Sequence, residues 1–309
     1  MEAVAAPLLI AIVGPTASGK SALGMRLAAE HGGEIVSCDS LHVYRGLDIG
    51  SAKPSREERA RVAHHLIDVV DPDEVFTAAE YARRARQALA DIRGRGRLPL
   101  VVGGSGLYLR ALLSGLFEGP SRDAALRARL ESLADRFGDL RLHRVLRRVD
   151  PEAAARIDTG DRLRVVRALE VFRATGRPLS QHHRAGAEPL AGFDVRLVGL
   201  NPPREALRTA VERRTEEMLR AGLVEETRAL LARHPPGLRP LAAIGYRQAA
   251  AVVRGESEVT DARRDMVRET MRYAKRQMTW FRHQASVTWC ANGEEAHAVA
   301  SAWLREPRR

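Results

Sequence analysis

Apolar residues along this chain follow two rhythms. Short, nearly unbroken runs of branched residues read as strands buried on both faces. Longer stretches with apolar positions three or four apart read as helices. The strand-like runs are Leu8–Val13, 34–38, 98–102, Asp194–Leu200 and the shorter 286–290. Helical spacing begins at Ser21, opens again behind the capping-box pair Thr77 and Glu80 to reach about Ile92, and returns at 107–113. This alternation predicts a parallel α/β sheet. Between Asp123 and about Ala185 the strand rhythm stops. Several amphipathic helices are predicted there, broken near Gly138, Asp150-Pro151, Gly160-Asp161 and Gly176. Behind the strand Asp194–Leu200, Asn201-Pro202-Pro203 closes the run, and helices at 204–221 and Leu223–Arg233 join at Gly222. Thr260 is the expected cap of a long helix over 261–283, and a last helix runs through Leu304.

The strongest chemical signal stands between the first strand and the first helix. Gly14, Pro15, Thr16, Ala17, Ser18, Gly19, Lys20 and Ser21 form a phosphate-cradling loop in its required strand-to-helix setting. The glycines let the backbone turn its amides inward, Lys20 brings a cation, and the Ser21 hydroxyl can reach a metal. By itself such a loop suits a nucleoside triphosphate as well as a diphosphate. The fold class is therefore α/β, with a P-loop NTPase-like parallel-sheet core at 1–120 and 190–309, C-terminal helices, and an all-helical insertion at 121–189. Asp39 follows the second strand, at the end where ligands bind in open α/β sheets. It could bind metal, act as a base, or cap the next turn. A second glycine-rich turn, Gly103 to Gly106, follows the strand at 98–102 and carries Ser105 as a further hydroxyl for that crevice. The pair His64-His65 has no accompanying ligand cluster and reads as structural.

Charge changes the picture. The first 119 residues hold 14 basic and 14 acidic side chains; the rest hold 36 and 25, so the net charge of +11 lies downstream of the phosphate loop. A basic second half on a phosphate-binding core points to a polyanionic partner larger than the small ligand. Arg264, Arg268, Arg272 and Arg276 recur every four residues as one basic ridge on the long helix. Tyr273, Trp280 and Phe281 share that helix and suit core packing or base stacking. Only Lys20, Lys53 and Lys275 are lysines among 50 basic residues, which marks them as positions needing a compact ammonium. Two cysteines, Cys38 and Cys290, give neither a disulfide framework nor a zinc cluster. Glu2 stands where a secretory signal carries cations, and Leu8–Val13 is too short to span a bilayer, so a cytoplasmic protein is expected.

The chain resembles the bacterial tRNA dimethylallyltransferase family over nearly its whole length. The motifs, in order, are Gly14 to Ser21, Asp39-Ser40 through Tyr44, Asp48 to Pro54, Val102 to Tyr108, Arg164 to Val171, Gly245 to Gln248 and Ala274 to Arg282. The resemblance implies transfer of a dimethylallyl group from dimethylallyl diphosphate to the exocyclic amine of the adenosine 3′ of the tRNA anticodon. Diphosphate leaves with the help of Mg2+. It further implies catalytic roles for Asp39 as general base, for Ser105 (in place of the family's usual Thr), for Lys20, and for Arg214. The loop from Gly14 to Ser21 becomes the diphosphate site, and Ser21 a metal ligand. The implied tRNA contacts are Asp39, Ser40, Leu41, His42, Ser105, Arg127, Leu163, Arg164, Val165, Val166, Arg167, Gly245, Tyr246, Arg247, Lys275, Arg276, Gln277 and Arg282. His42 departs from the family's usual Gln, and Leu241 to Ile244 offers no polar side chain to RNA. The partners expected are the anticodon stem-loop and dimethylallyl diphosphate, with no membrane, on a monomer. Three rivals predict other behaviour. A small-molecule kinase needs ATP turnover and no basic lobe. An isopentenyltransferase acting on free adenine nucleotides needs no Arg ridge. A non-catalytic RNA-binding module dispenses with Asp39 and Lys20.

Overall fold

The computed structural model describes residues 6–117, 119–120, 123–184, 188–235 and 237–307. Among these, six strands form one parallel sheet: β1 (Leu8–Val13), β2 (Gly33–Cys38), β3 (His64–His65), β4 (Leu98–Gly103), β5 (Asp194–Leu200) and β6 (Thr288–Cys290). They lie side by side as β3-β2-β4-β1-β5-β6. The first helices are α1 (Lys20–His31), α2 (Arg56–Arg61), α3 (Ala78–Gly94) and α4 (Gly106–Ser114). Then come α5 (Ala124–Phe137), α6 (Asp139–Val149), α7 (Pro151–Arg156), α8 (Arg162–Thr175) and α9 (Leu179–Arg184). After β5 follow α10 (Arg204–Arg220), α11 (Leu223–Arg233), α12 (Tyr246–Val253), α13 (Val259–Gln284) and α14 (Gly293–Arg305).

The central strand explains the layering. β1 pairs with β4 on one edge and β5 on the other, and helices cover both of its faces, so no part of it meets water. Leu8, Ile10 and Ile12 pack with Leu23 and Leu27 of α1 and Ala296 and Ala300 of α14. Leu9, Ala11 and Val13 join the opposite core with Tyr81 and Leu89 of α3, Leu112 of α4 and Phe281 of α13. Each of these large apolar side chains contributes roughly 1.5–3 kcal/mol by burial. A two-sided core demands an unbroken apolar run, and that is what β1 carries.

Contacts divide the chain into two compact units, Met1–Leu113 with Leu190–Arg309, and Ser114–Pro189. Residues 114–120, expected in the core, cluster with the helical unit. That unit has its own small core of Ala134, Leu142, Leu146, Ala154, Val165, Val166, Ala168 and Leu169. Two expectations about caps need correction. Thr260 does not cap α13, because Glu258 holds the cap position and Thr260 lies inside the first turn. Thr77 does accept the Glu80 amide (3.1 Å), but the Glu80 carboxylate turns to Arg83 and Arg84. The His64-His65 pair is structural: it forms the edge strand β3 against β2, and His65 meets Glu34 at 2.7 Å.

Lys53 fastens the long connection after β2. Its side chain is 1% exposed, and Nζ donates to Tyr44 O (2.8 Å), Asp48 Oδ1 (2.5 Å) and Asp68 Oδ1 (2.7 Å). A compact ammonium serves three acceptors arranged around a point, whereas a planar guanidinium cannot. Lys53→Arg is therefore expected to cost about 2 kcal/mol. Thermal unfolding should then shift down by roughly 4–8 °C. An unchanged melting temperature would show that the point geometry is unimportant.

Candidate active site

The carboxyl ends of β2, β4 and β1, three neighbours in the sheet, carry Asp39, the turn Gly103 to Gly106, and the phosphate loop. The loop's path is enforced locally. Gly14 has φ +137, and a Cβ there would come within 2.6 Å of the Leu200 carbonyl at the end of β5. Ala17 is held at φ 62, a left-handed conformation that costs a non-glycine residue on the order of 1 kcal/mol. Ser18 Oγ is buried without a protein partner, an orphaned donor of the kind a phosphate oxygen satisfies. Gly14 and Pro15 are buried, Thr16, Ala17 and Ser18 half-buried, and Gly19 and Ser21 exposed.

Lys20 is the first residue of α1 and is buried, with Nζ folded back to donate to the Pro15 carbonyl at 2.5 Å. Burial lowers its pKa to about 7, helped by the Arg214 guanidinium and opposed by the Asp39 carboxylate. Arg214 lies in the middle of α10, half-buried, with its guanidinium 3.5 Å from the Ser51 carbonyl. Burial lowers its pKa also, and Asp39 pulls it back up. Two cations and one carboxylate thus share a desolvated field beside the loop. Such a pair of cations is costly to hold together, and an anionic ligand would relieve that cost.

The sign of the Lys20 shift gives a pH prediction. Its ammonium is half ionised near pH 7 in the free protein, and a bound diphosphate would hold the proton on. With the ligand's own ionisation divided out, affinity for inorganic diphosphate is therefore expected to be flat below pH 7 and to fall as pH rises through it, by at most tenfold per unit. Lys20→Met should remove that fall. An affinity that climbs steadily with pH, as the ligand's own ionisation alone would give, assigns no titration to Lys20.

At the end of β2 Asp39 Oδ1 receives the Leu41 amide at 2.9 Å, which leaves the second carboxylate oxygen without that bond. The turn-capping bond therefore does not occupy the whole carboxylate. Ser105 Oγ accepts the Ser40 amide at 3.0 Å, and the Ser105 amide donates to the Cys38 carbonyl at 3.1 Å. The Cys38 thiol is buried and pushed up to about 12 by desolvation, so it is inert. His42 is fixed at both nitrogens: Nε2 donates to Ser51 O (3.2 Å) and Nδ1 therefore accepts from Ser37 Oγ (2.9 Å). Leu41 and Ser40 are half-buried beside it.

The expected RNA contacts fall into two sets. Leu163 is 71% exposed, and Arg164, Arg247, Lys275, Arg276 and Arg282 are also exposed. Arg164 pairs with Asp161 and Arg247 with Glu269. Arg127 and Arg167 are anchored on the fully buried carboxylate of Glu170, at 3.0 and 2.7 Å. Burial opposes ionisation of Glu170, but Arg127, Arg167 and the Asp123 amide outweigh it and hold its pKa at about 2. Four of the expected contacts have buried side chains. Val165 and Val166 belong to the core of the helical unit, each 1% exposed. The Tyr246 ring lies against Gly50, and its hydroxyl donates to Glu226 at 2.7 Å. Gln277 is buried, with both ends of its amide bonded to backbone. Side chains so enclosed pack beneath the surface in this structure. Gly245, with φ +94, holds the turn before α12 through a bond from its amide to Gln248 Oε1 at 2.9 Å.

The inward face of α13 carries residues that the sequence offered in other roles. Tyr273 is half-buried, its pKa raised to about 12 by burial and then by Asp39. Tyr273, Gln277 and Phe281 recur every four residues on the face that looks into the protein. The sequence offered Tyr273 and Phe281 for core packing or base stacking and Gln277 for RNA, but gave no sign that Gln277 bonds to Thr16 and Gly104. Among the described residues no cluster of three or more His, Cys, Asp or Glu could hold a metal by itself. The Ser21 hydroxyl is a hard oxygen donor, which suits a magnesium ion held mainly by substrate phosphates and water.

Comparison with known proteins adds the following. A family model described as IPP transferase matches residues 42–284. A tRNA dimethylallyltransferase of Koribacter versatilis is 49% identical over 297 residues, covering 96% of this chain and 97% of its own. The Myxococcus xanthus protein of the same description is 50% identical over 290 residues, with 94% of each chain covered. The crystal structure of a tRNA isopentenylpyrophosphate transferase from Bacillus halodurans matches with a TM-score of 0.69 and 37% identity, across 96% of both chains. Among the described residues no helix is long and apolar enough to cross a membrane.

Proposed function

We infer function from one premise: this chain belongs to the IPP transferase family. It is a prenyltransferase that moves a dimethylallyl group onto tRNA. The donor we assign is dimethylallyl diphosphate, and the acceptor is the exocyclic amine of the adenosine 3′ of the anticodon. One observation carries the assignment of groups: three adjacent strands deliver Asp39, Ser105 and the phosphate loop to one edge, with Lys20 and Arg214 in the electrostatic field of Asp39.

The chemistry follows from that arrangement. As the allylic carbon–oxygen bond breaks, negative charge collects on the diphosphate. Loop amides, Lys20 and Arg214 stand ready for that charge in a water-poor site, where fixed charges act most strongly. An exocyclic amine is a weak nucleophile. The free oxygen of Asp39 would accept its hydrogen, orient its lone pair toward the carbon, and take the proton as the bond forms. Ser105 holds the Ser40 amide, keeping Asp39 at the end of β2, and its hydroxyl hydrogen is available to the acceptor base. Magnesium, when bound, would neutralise diphosphate oxygens, with Ser21 as the residue able to hold it. RNA phosphates would meet the exposed Arg164, Arg272, Lys275, Arg276 and Arg282, and recognition of an adenosine at a crevice requires that it leave its stack.

Labelled dimethylallyl diphosphate offered with an anticodon stem-loop and, separately, with adenosine monophosphate tests this. Label on the stem-loop adenosine is the expected product. Label on the free nucleotide alone, or ATP hydrolysis without transfer, would return the rival readings.

A further inference from the structure

One side chain ties the two halves of this site together. Gln277 of α13 accepts the Thr16 amide on Oε1 at 2.9 Å, and its Nε2 donates to the Gly104 carbonyl at 2.9 Å. Thr16 belongs to the phosphate loop after β1. Gly104 precedes Ser105 in the turn after β4, the next strand in the sheet. The contact is close: a Cβ on Gly104 would sit 2.3 Å from Gln277 Nε2. The Gln277 side chain is buried, so water does not compete for either bond.

We propose that Gln277 is a positioning residue that sets the separation between the leaving-group loop and the acceptor turn. This rests on the prenyl-transfer reading above. The two loops come from parallel strands whose ladder ends where the loops begin, and nothing in strand pairing fixes how far apart their tips lie. A primary amide has what the bridge needs: an acceptor at one atom, a donor at another, and a stem long enough to reach from a helix. Glutamate keeps the length and the acceptor but, when ionised, has no donor for the Gly104 carbonyl. Methionine keeps the length and has neither. The ligand contacts of each loop survive either change, while their mutual distance does not. Transfer is sensitive to that distance, since an error of about 1 Å in the approach of reacting groups costs on the order of a hundredfold in rate.

The test compares wild type, Gln277→Met and Gln277→Glu by single-turnover prenyl transfer to an anticodon stem-loop. Affinities for dimethylallyl diphosphate and RNA are measured alongside, at several pH values between 5.5 and 8. Gln277→Met is expected to lose roughly 10- to 100-fold in rate with both affinities within about threefold of wild type. Gln277→Glu should match it at pH 8. Relative to wild type at the same pH, it should then recover as the pH falls, because a protonated carboxyl restores the donor. A merely structural role gives no such recovery. If Gln277→Met is poorly folded by circular dichroism, the Gln277→Glu profile decides alone. Methionine transfer within threefold of wild type, or a glutamate variant whose ratio to wild type is flat with pH, overturns the inference. A wild-type protein that transfers nothing to RNA instead overturns the prenyl-transfer reading, and the inference with it.

Discussion

Asp39→Asn is expected to lower prenyl transfer about 10²- to 10⁴-fold, the range for removing a general base, while RNA affinity stays near that of wild type. The substitution separates two jobs. Asn can still accept the Leu41 amide that Asp39 Oδ1 holds at 2.9 Å, so the turn after β2 survives. It cannot take a proton from the adenosine amine, and it weakens the attraction that Asp39 exerts on Lys20 and Arg214. Asp39→Ala removes the turn bond as well and should be no better. Single-turnover transfer with saturating stem-loop, beside a filter-binding titration, provides the check. Activity of the Asn variant within a few-fold of wild type would leave Asp39 as a cap only.

Arg214→Leu should lose roughly 10²- to 10³-fold in transfer, the usual effect of removing one group that faces developing charge. Its second signature is electrostatic. The Arg214 guanidinium is the chief charged neighbour depressing the Lys20 ammonium after desolvation itself. Without it the pH at which diphosphate affinity begins to fall should move upward from about 7. Arg214→Lys restores the charge without the planar fork and should recover only part of the rate. A variant with wild-type turnover and an unmoved pH profile would detach Arg214 from the diphosphate. Reading both quantities on one protein distinguishes a lost contact from a collapsed helix, which would disturb RNA binding as well.

The parts of this fold that show in the sequence are those built by local rules. β1 is legible because burial on both faces writes an unbroken apolar run, and the breaks between α5, α6, α7, α8 and α9 are written in glycine, proline and aspartate. β3 is not legible, since two histidines carry no strand rhythm and pair only because β2 lies beside them. The cap of α13 was misplaced on Thr260 because Glu258 occupies the position without any side-chain bond. In the site, the phosphate loop and Asp39 stand out by residue type and by their place at strand ends. Arg214 does not, being one arginine among many on α10, and it was reached through resemblance. The role of Gln277 depends on backbone atoms 261 and 173 residues away in the chain, so no local pattern announces it. Val165, Val166 and Tyr246 sit in motifs that accompany RNA binding, and their burial is set by packing that the motifs do not display.

The order of strands has a consequence for how the chain is made. β1 leaves the ribosome first, and its partner on one side, β4, follows within about a hundred residues. Its other partner, β5, begins only at Asp194. At ordinary elongation rates of about 5–20 residues per second, one hydrogen-bonding edge of the most apolar strand stays open for roughly 10–40 s. During that interval the helical unit Ser114–Pro189 emerges and can fold upon its own local contacts. The nascent chain thus carries an exposed, aggregation-prone edge through most of its synthesis, and chaperone dependence would be greatest before β5 closes it.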